Sequence, residues 1–231
     1  MRLGDLIAAA QGLRPITPID PSLRVCDITE DSRTAVPGSL FIARPGTASD
    51  GRRFLAQAAA AGAVAAVIQR ENAAAAQGAD RRPDPGVPAQ HAVLECADAA
   101  ASGATLAEAF YATPSARLAL VGVTGTNGKS TIAHLIHRAL NAAGVRTGLI
   151  GTVEIDDGVA LAPAEMTTPP ATEISRTLAL MADNACRAAA MEVSSHALDQ
   201  RRVHALRFRG AIFTNLTRDH LNYHGTMDAY A

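Results

Sequence analysis

The sequence predicts an α/β protein of two domains, at residues 1–113 and 114–231. Two observations predict it. Short apolar runs of strand length alternate with helical patterns in both halves, which implies mainly parallel sheets joined by right-handed crossovers. The pattern breaks at Thr113-Pro114-Ser115, where a proline interrupts both kinds of regular structure. Hydrophobic residues make up 48% of the 231-residue chain, ample for two cores. Aromatics make up only 3%, so Ala, Val, Leu and Ile must fill them.

In the first domain, residues 3–10 read as a short helix. Residues 23–28 and 39–43 read as strands separated by a Pro37-Gly38 turn. Residues 54–61 form a helical pattern, 63–68 a strand, 93–96 another strand and 99–111 a helix. Residues 71–90 turn Ala-rich and then rich in Pro, Gly and charge, which reads as a helix end followed by a loop. In the second domain LALVGVT, from Leu118, is a buried strand. Residues 129–143 form a helix closed by Gly144 in the C′ position. Residues 145–153 are a strand region, 171–184 a helix, and 187–193 and 211–215 strands.

Composition excludes several classes. The formal net charge is −1, and Lys and Arg are not massed in one block, which argues against a nucleic-acid-binding protein. The N-terminal MRLGDLIAAAQG lacks signal-peptide order. No stretch approaches the roughly 20 apolar residues needed to span a bilayer, so a soluble, cytoplasmic protein with no membrane partner is expected. Cys26, Cys96 and Cys186 form no CxxC pair and read as small buried residues in a reducing compartment.

The strongest chemical signal is TGTNGKS, Thr124 to Ser130, between the apolar strand and the helix that follows. Gly125 and Gly128 let backbone N–H groups turn towards phosphates, and the helix N-terminus adds partial positive charge. The Lys129 ammonium can reach the β- and γ-phosphates of ATP, and the Ser130 hydroxyl can ligate Mg²⁺. Thr124, Thr126 and Asn127 complete the loop. The strict Walker A spacing would place glycine where Val123 stands. The second domain is therefore of P-loop type. Further on, Glu192 in MEVSSH ends an apolar strand, where a carboxylate faces the ligand crevice and can complete the Mg²⁺ shell begun by Ser130. His220, in NLTRDHLNYHG, is a candidate metal ligand or phosphate partner. His134 and His137 share one side of a helix without the Glu of an HExxH arrangement, and read as a surface pair.

The loop TGTNGKS resembles that of the Mur ligase family, which also includes folylpolyglutamate synthetases and uses this shorter spacing. MEVSSH and NLTRDHLNYHG resemble two motifs of its MurE group, in the same order and with similar spacing. Asp31-Ser32-Arg33 followed by VPGSLFIARPGTASDGRRF resembles the MurE N-terminal domain, which the folylpolyglutamate synthetases lack. The resemblance implies that Glu30, Ser32, Thr47, Ala48 and Ser49 touch a UDP-N-acetylmuramoyl group. It implies that Met166, Thr167 and Thr168, with Ser194, Gln200 and Arg202, hold the muramoyl-dipeptide. It gives Lys129, Glu192 and His220 to catalysis, and Ser130, Glu192 and His220 to Mg²⁺. Asn222 stands where the family usually has Asp.

The implied reaction is ATP-dependent amide-bond formation in peptidoglycan synthesis. The free carboxylate of UDP-N-acetylmuramoyl-L-alanyl-D-glutamate is phosphorylated, and the amine of a third amino acid displaces phosphate; meso-diaminopimelate is expected, with L-lysine left open by the sequence. The resemblance also implies a carbamate-bearing lysine shortly beyond the YHG motif and a third domain that selects the amino acid. The sequence ends at Ala231 before either, so a truncated, inactive fragment is expected. A non-catalytic nucleotide-binding protein and a folylpolyglutamate-synthetase-like ligase are the alternative readings.

Overall fold

The computed structural model describes residues 1–46, 49–70 and 91–231. The expected loop at 71–90 lies outside them. Two compact units divide the chain, Met1–Phe110 and Tyr111–Ala231.

The first unit contains α1 (Leu3–Ala9), β1 (Arg14–Pro15), β2 (Asp27–Thr29), β3 (Ser39–Ala43), α2 (Leu55–Ala60), β4 (Ala65–Gln69), β5 (Ala92–Cys96) and α3 (Ala99–Phe110). A 3₁₀ turn, Gly51–Phe54, leads into α2 and is capped by the Asp50 carboxylate accepting from Arg52 N–H. The sheet order is β1-β5-β4-β3-β2, parallel throughout except for β1. Parallel strands covered on both faces need apolar side chains on both, and every residue of β3 is buried. Phe41, Ala66 and Val93 lie side by side and pack with Leu55 and Ala58 of α2. Ile42 faces the other way, towards Gly103 of α3.

Three local expectations change here. The strand placed at residues 23–28 is shorter and later, because Val25 and Cys26 spend their N–H groups on Met1 and Gly38 carbonyls. The sequence reading missed β1, whose two residues are both exposed. Cys26 is exposed rather than buried: its neighbour Val25 points inward, and the extended chain turns alternate side chains outward. Cys96 and Cys186 are buried, and burial pushes both thiols up from their ordinary pKa.

The second unit contains β6 (Ala119–Thr124), α4 (Lys129–Ala142), β7 (Thr147–Ile150), β8 (Glu154–Asp156), β9 (Leu161–Pro163), α5 (Ala171–Asp183), β10 (Ala188–Glu192), α6 (Ser195–Asp199), β11 (Gly210–Phe213), α7 (Leu221–His224) and α8 (Met227–Tyr230). The order is β11-β6-β10-β7-β8-β9. The first four strands are parallel, and β8 and β9 add an antiparallel hairpin. Val123, Leu149 and Ala190 form the face under Ala133 of α4. Leu120, Ile150, Ala189 and Met191 form the opposite face, under Ile174, Leu178 and Met181 of α5. Leu178 is fully buried. Leu178→Ala is expected to lower the free energy of unfolding by about 2–5 kcal/mol, the usual cost of a core cavity. The urea midpoint of this unit measures it.

Both sheets thus make an α/β protein with mainly parallel strands. Among the described residues no helix is long and apolar enough to cross a membrane.

Candidate nucleotide and metal site

The carboxyl ends of β6 and β10 lie side by side, Val123 opposite Glu192. Parallel sheets bind ligands at this edge, because the loops and helix N-termini converge there. The loop after β6 runs into α4, whose N-cap is Gly128 at φ 84° with no side-chain cap. The first N–H groups of α4 therefore lack a capping acceptor and suit an anion. Lys129 Nζ meanwhile donates to Gly125 O at 2.7 Å and Thr126 O at 3.0 Å, so phosphate oxygens would take over donors now turned onto the loop itself.

Ser130 Oγ donates to Glu192 Oε2 at 2.8 Å. Glu192 is 0% exposed. A buried carboxylate needs compensating donors, and Thr152 supplies two: its N–H reaches Oε1 at 2.8 Å and its hydroxyl reaches Oε2 at 3.0 Å. Backbone proximity is part of this arrangement, since a Cβ on Gly151 would stand 2.7 Å from Glu192 Oε1. The Ser130–Glu192 pair is an all-oxygen donor set beside a helix start with no side-chain cap, which fits Mg²⁺ with nucleotide phosphates. The sequence reading missed Thr152, and the only signal for it was the Gly-Thr pair directly after an apolar strand.

The second group of expected site residues is joined to Glu192. Thr168 Oγ1 donates to Glu192 O at 2.9 Å and accepts from Ser194 N–H at 3.0 Å. Ser194 Oγ caps α6 by accepting from Ala197 N–H. Arg202 Nη1 donates to Thr168 O at 2.5 Å, and Nε and Nη2 donate to Gln200 Oε1 at 3.1 and 2.7 Å. The Thr167 and Thr152 hydroxyls share a hydrogen bond at 3.1 Å, and Met166 Sδ lies 3.3 Å from Arg202 Nη1. Met166, Thr167, Thr168, Ser194, Gln200 and Arg202 thus form one connected strip.

His220 has other neighbours. It has φ 51° and begins α7. Its ring lies 4.9 Å from that of His196, edge-on, and 6.0 Å from that of Tyr230. Among the described residues no hydrogen bond or ion pair joins it to Ser130 or Glu192, and no three His, Cys, Asp or Glu gather as a metal cluster. Burial, then the neighbouring His220 and His224, hold the His196 pKa below its ordinary value. His134 and His137 pair across α4 with the hairpin, to Glu154 at 3.3 Å and Asp156 at 3.0 Å.

In the first unit Glu30 forms a 2.5 Å ion pair with Arg44. Ser32 Oγ donates to Gln57 Oε1 at 3.0 Å, and Ser49 O accepts from Gly46 N–H at 3.0 Å. Arg33 holds the Asp31 carboxyl below its usual pKa, largely through their side-chain hydrogen bond. Thr47 and Ala48 lie outside the described residues.

Comparison with known proteins gives the arrangement a lineage. Residues 25–111 match the family model described as Mur ligase family, catalytic domain, and residues 123–231 match the Mur ligase middle domain. The chain is 47% identical over 208 residues to the UDP-N-acetylmuramoyl-L-alanyl-D-glutamate--2,6-diaminopimelate ligase of Synechococcus elongatus, covering 90% of this chain and 40% of that protein. It is 42% identical over 231 residues to the ligase of the same name from Ectopseudomonas mendocina, covering 100% and 43%. A solved structure of such a ligase aligns with TM-score 0.75 and 26% identity, over 100% of this chain and 43% of that one. The chain therefore spans less than half the length of these relatives. With residues 25–111 and 123–231 both matching Mur ligase models, and the glycine loop and the Ser130–Glu192 pair lying within the second of these regions, the chain belongs to the Mur ligase family.

Proposed function

We propose that these residues form nucleotide-binding parts of an ATP-dependent amide-bond ligase of the MurE type, which joins meso-diaminopimelate to UDP-N-acetylmuramoyl-L-alanyl-D-glutamate in cytoplasmic peptidoglycan synthesis. One observation carries the reading: the buried Glu192 is hydrogen-bonded to Ser130 of the glycine loop and, through its backbone carbonyl, to the Thr168–Arg202 strip. A phosphate site and a substrate site built on one strand end suit a reaction that moves a phosphoryl group from ATP to a carboxylate.

Each residue then has a task. The uncapped start of α4 receives phosphate oxygens, and Lys129 adds positive charge where the β/γ bridge would break. Glu192 and Ser130 would hold Mg²⁺, which when bound offsets charge on the transferring phosphoryl group. Arg202, fixed by Gln200 and Thr168, directs a cation at the carboxylate of the dipeptide. His220 is proposed to hold a second ion. Glu30, Ser32, Thr47, Ala48 and Ser49 are proposed to meet the uridine nucleotide. Positioning of three reactants does the rest, an effect that can supply roughly 7–11 kcal/mol.

The test is calorimetric titration of the folded 231-residue chain with UDP-N-acetylmuramoyl-L-alanyl-D-glutamate. Saturable binding, abolished in Arg202→Ala, is expected; no heat at millimolar ligand would overturn the substrate assignment. Incubation of the same chain with ATP, Mg²⁺, the dipeptide nucleotide and diaminopimelate is expected to yield no tripeptide, because the resemblance gives amino-acid selection to a part of the ligase that these residues do not match. Product at ordinary enzyme rates would contradict that.

A further inference from the structure

We propose that Asn215 is the positioning residue that holds the glycine loop in its phosphate-accepting shape, an inference that rests on the ATP-site reading above. The loop is strapped from behind by the segment that follows β11. Asn215 grips it three times: its backbone O accepts from Thr126 N–H at 2.8 Å, its Oδ1 accepts from Asn127 N–H at 3.2 Å, and its Nδ2 donates to Asn127 O at 3.1 Å. Its neighbours add to the strap. Thr214 Oγ1 donates to Asn127 O at 2.7 Å, Thr217 N–H donates to Thr126 Oγ1 at 2.9 Å, and Tyr230 shares a hydrogen bond with the same Thr126 hydroxyl at 2.9 Å.

Two consequences follow from this geometry. First, the N–H groups of Thr126 and Asn127 are committed to protein acceptors, so phosphate recognition falls to the amides at the start of α4 and to Lys129. Second, the strap demands close backbone approach. Gly125 has φ 128°, and a Cβ there would overlap the Thr214 hydroxyl and stand 2.8 Å from Asn215 O. Gly125 and Asn215 are thus two halves of one contact, 90 residues apart in sequence. Because Thr214 shares the Asn127 carbonyl, the Asn127 N–H is what the Asn215 side chain engages by itself. Losing that acceptor frees the Thr126–Asn127 peptide to rotate, one residue before Gly128, and with it the axis of the amides that face phosphate.

A purely structural asparagine would lower the melting temperature and leave the ATP affinity of the folded protein unchanged. A positioning asparagine does the reverse. The experiment compares wild type, Asn215→Ala and the near-isosteric Asn215→Asp, which keeps the Oδ1 acceptor and loses the Nδ2 donor. Each is followed by thermal melting, by Mg·ATP titration and by backbone amide exchange at Asn127 without nucleotide. Asn215→Ala is expected to weaken ATP binding about tenfold, as for loss of two hydrogen bonds, and to accelerate exchange at Asn127. Asn215→Asp is expected to keep Asn127 protected and to weaken ATP through its added negative charge. Wild-type ATP affinity in Asn215→Ala, or unchanged Asn127 exchange, would overturn the proposal. Should wild type itself not bind ATP, the site reading fails, while the exchange data still decide whether Asn215 sets the loop. If Asn215→Ala does not fold, Asn215→Asp decides: its retained acceptor must keep Asn127 protected, and accelerated exchange there overturns the proposal.

Discussion

Replacing Glu192 by alanine is expected to abolish Mg²⁺-dependent ATP binding and to lower stability by about 2–4 kcal/mol, the usual cost of stranding buried donors. The side chain is fully buried and accepts from the Ser130 hydroxyl and from both the N–H and hydroxyl of Thr152. Truncation leaves those donors facing a cavity and removes the carboxylate that accepts from Ser130 of the loop. The two effects separate in Glu192→Gln, which fills the same volume. It is expected to recover most of the stability, because one amide oxygen still accepts, and none of the Mg²⁺ dependence, because the negative charge is gone. Urea midpoints and ATP titrations with and without Mg²⁺ measure the two quantities. ATP affinity in Glu192→Ala equal to wild type with Mg²⁺ present would remove Glu192 from the metal assignment.

Lys129→Ala is expected to behave differently. Lys129 is half-buried, and among the described residues its ammonium bonds to the carbonyls of Gly125 and Thr126, which water can serve instead. Stability should therefore change little. ATP affinity is expected to fall by about 1.5–3 kcal/mol, roughly 10- to 150-fold, the range for hydrogen bonds to a charged group. The loss should shrink for ADP and shrink further for AMP, since the amine serves the outer phosphates. Equal losses for all three nucleotides would place Lys129 away from the phosphates.

The parts of this fold legible in sequence were those with both faces covered. Ser39–Ala43, Ala119–Thr124 and Ala188–Glu192 are nearly continuous apolar runs because helices pack on each side of a parallel sheet. The hairpin of β8 and β9 was not legible: its strands have three residues each, half-buried in β8 and exposed in β9, too short for a two-residue period to register. Helices α6, α7 and α8 have five, four and four residues, too short for a 3.6-residue period to register. At the site, the meeting of Ser130 and Glu192 follows from strand-end logic alone, whereas their joint hold on Mg²⁺ is the proposal tested above. Thr152 and Asn215 had no such logic. Their bonds join loops 40 and 88 residues apart and leave no local pattern in the chain. The two helix histidines were visible as a pair, but their partners Glu154 and Asp156 lie on the unforeseen hairpin.

The central claim is that the glycine loop and Glu192 together form a metal-dependent ATP site. Calorimetric titration of ATP into the wild-type 231-residue chain, with Mg²⁺ and again with EDTA, tests it most directly. One saturable site is expected with Mg²⁺ and at least tenfold weaker binding without it, the scale of one lost charge-assisted contact of about 1.5–3 kcal/mol. Folded protein that binds no ATP at millimolar concentration, or binds it equally in EDTA, would contradict the account.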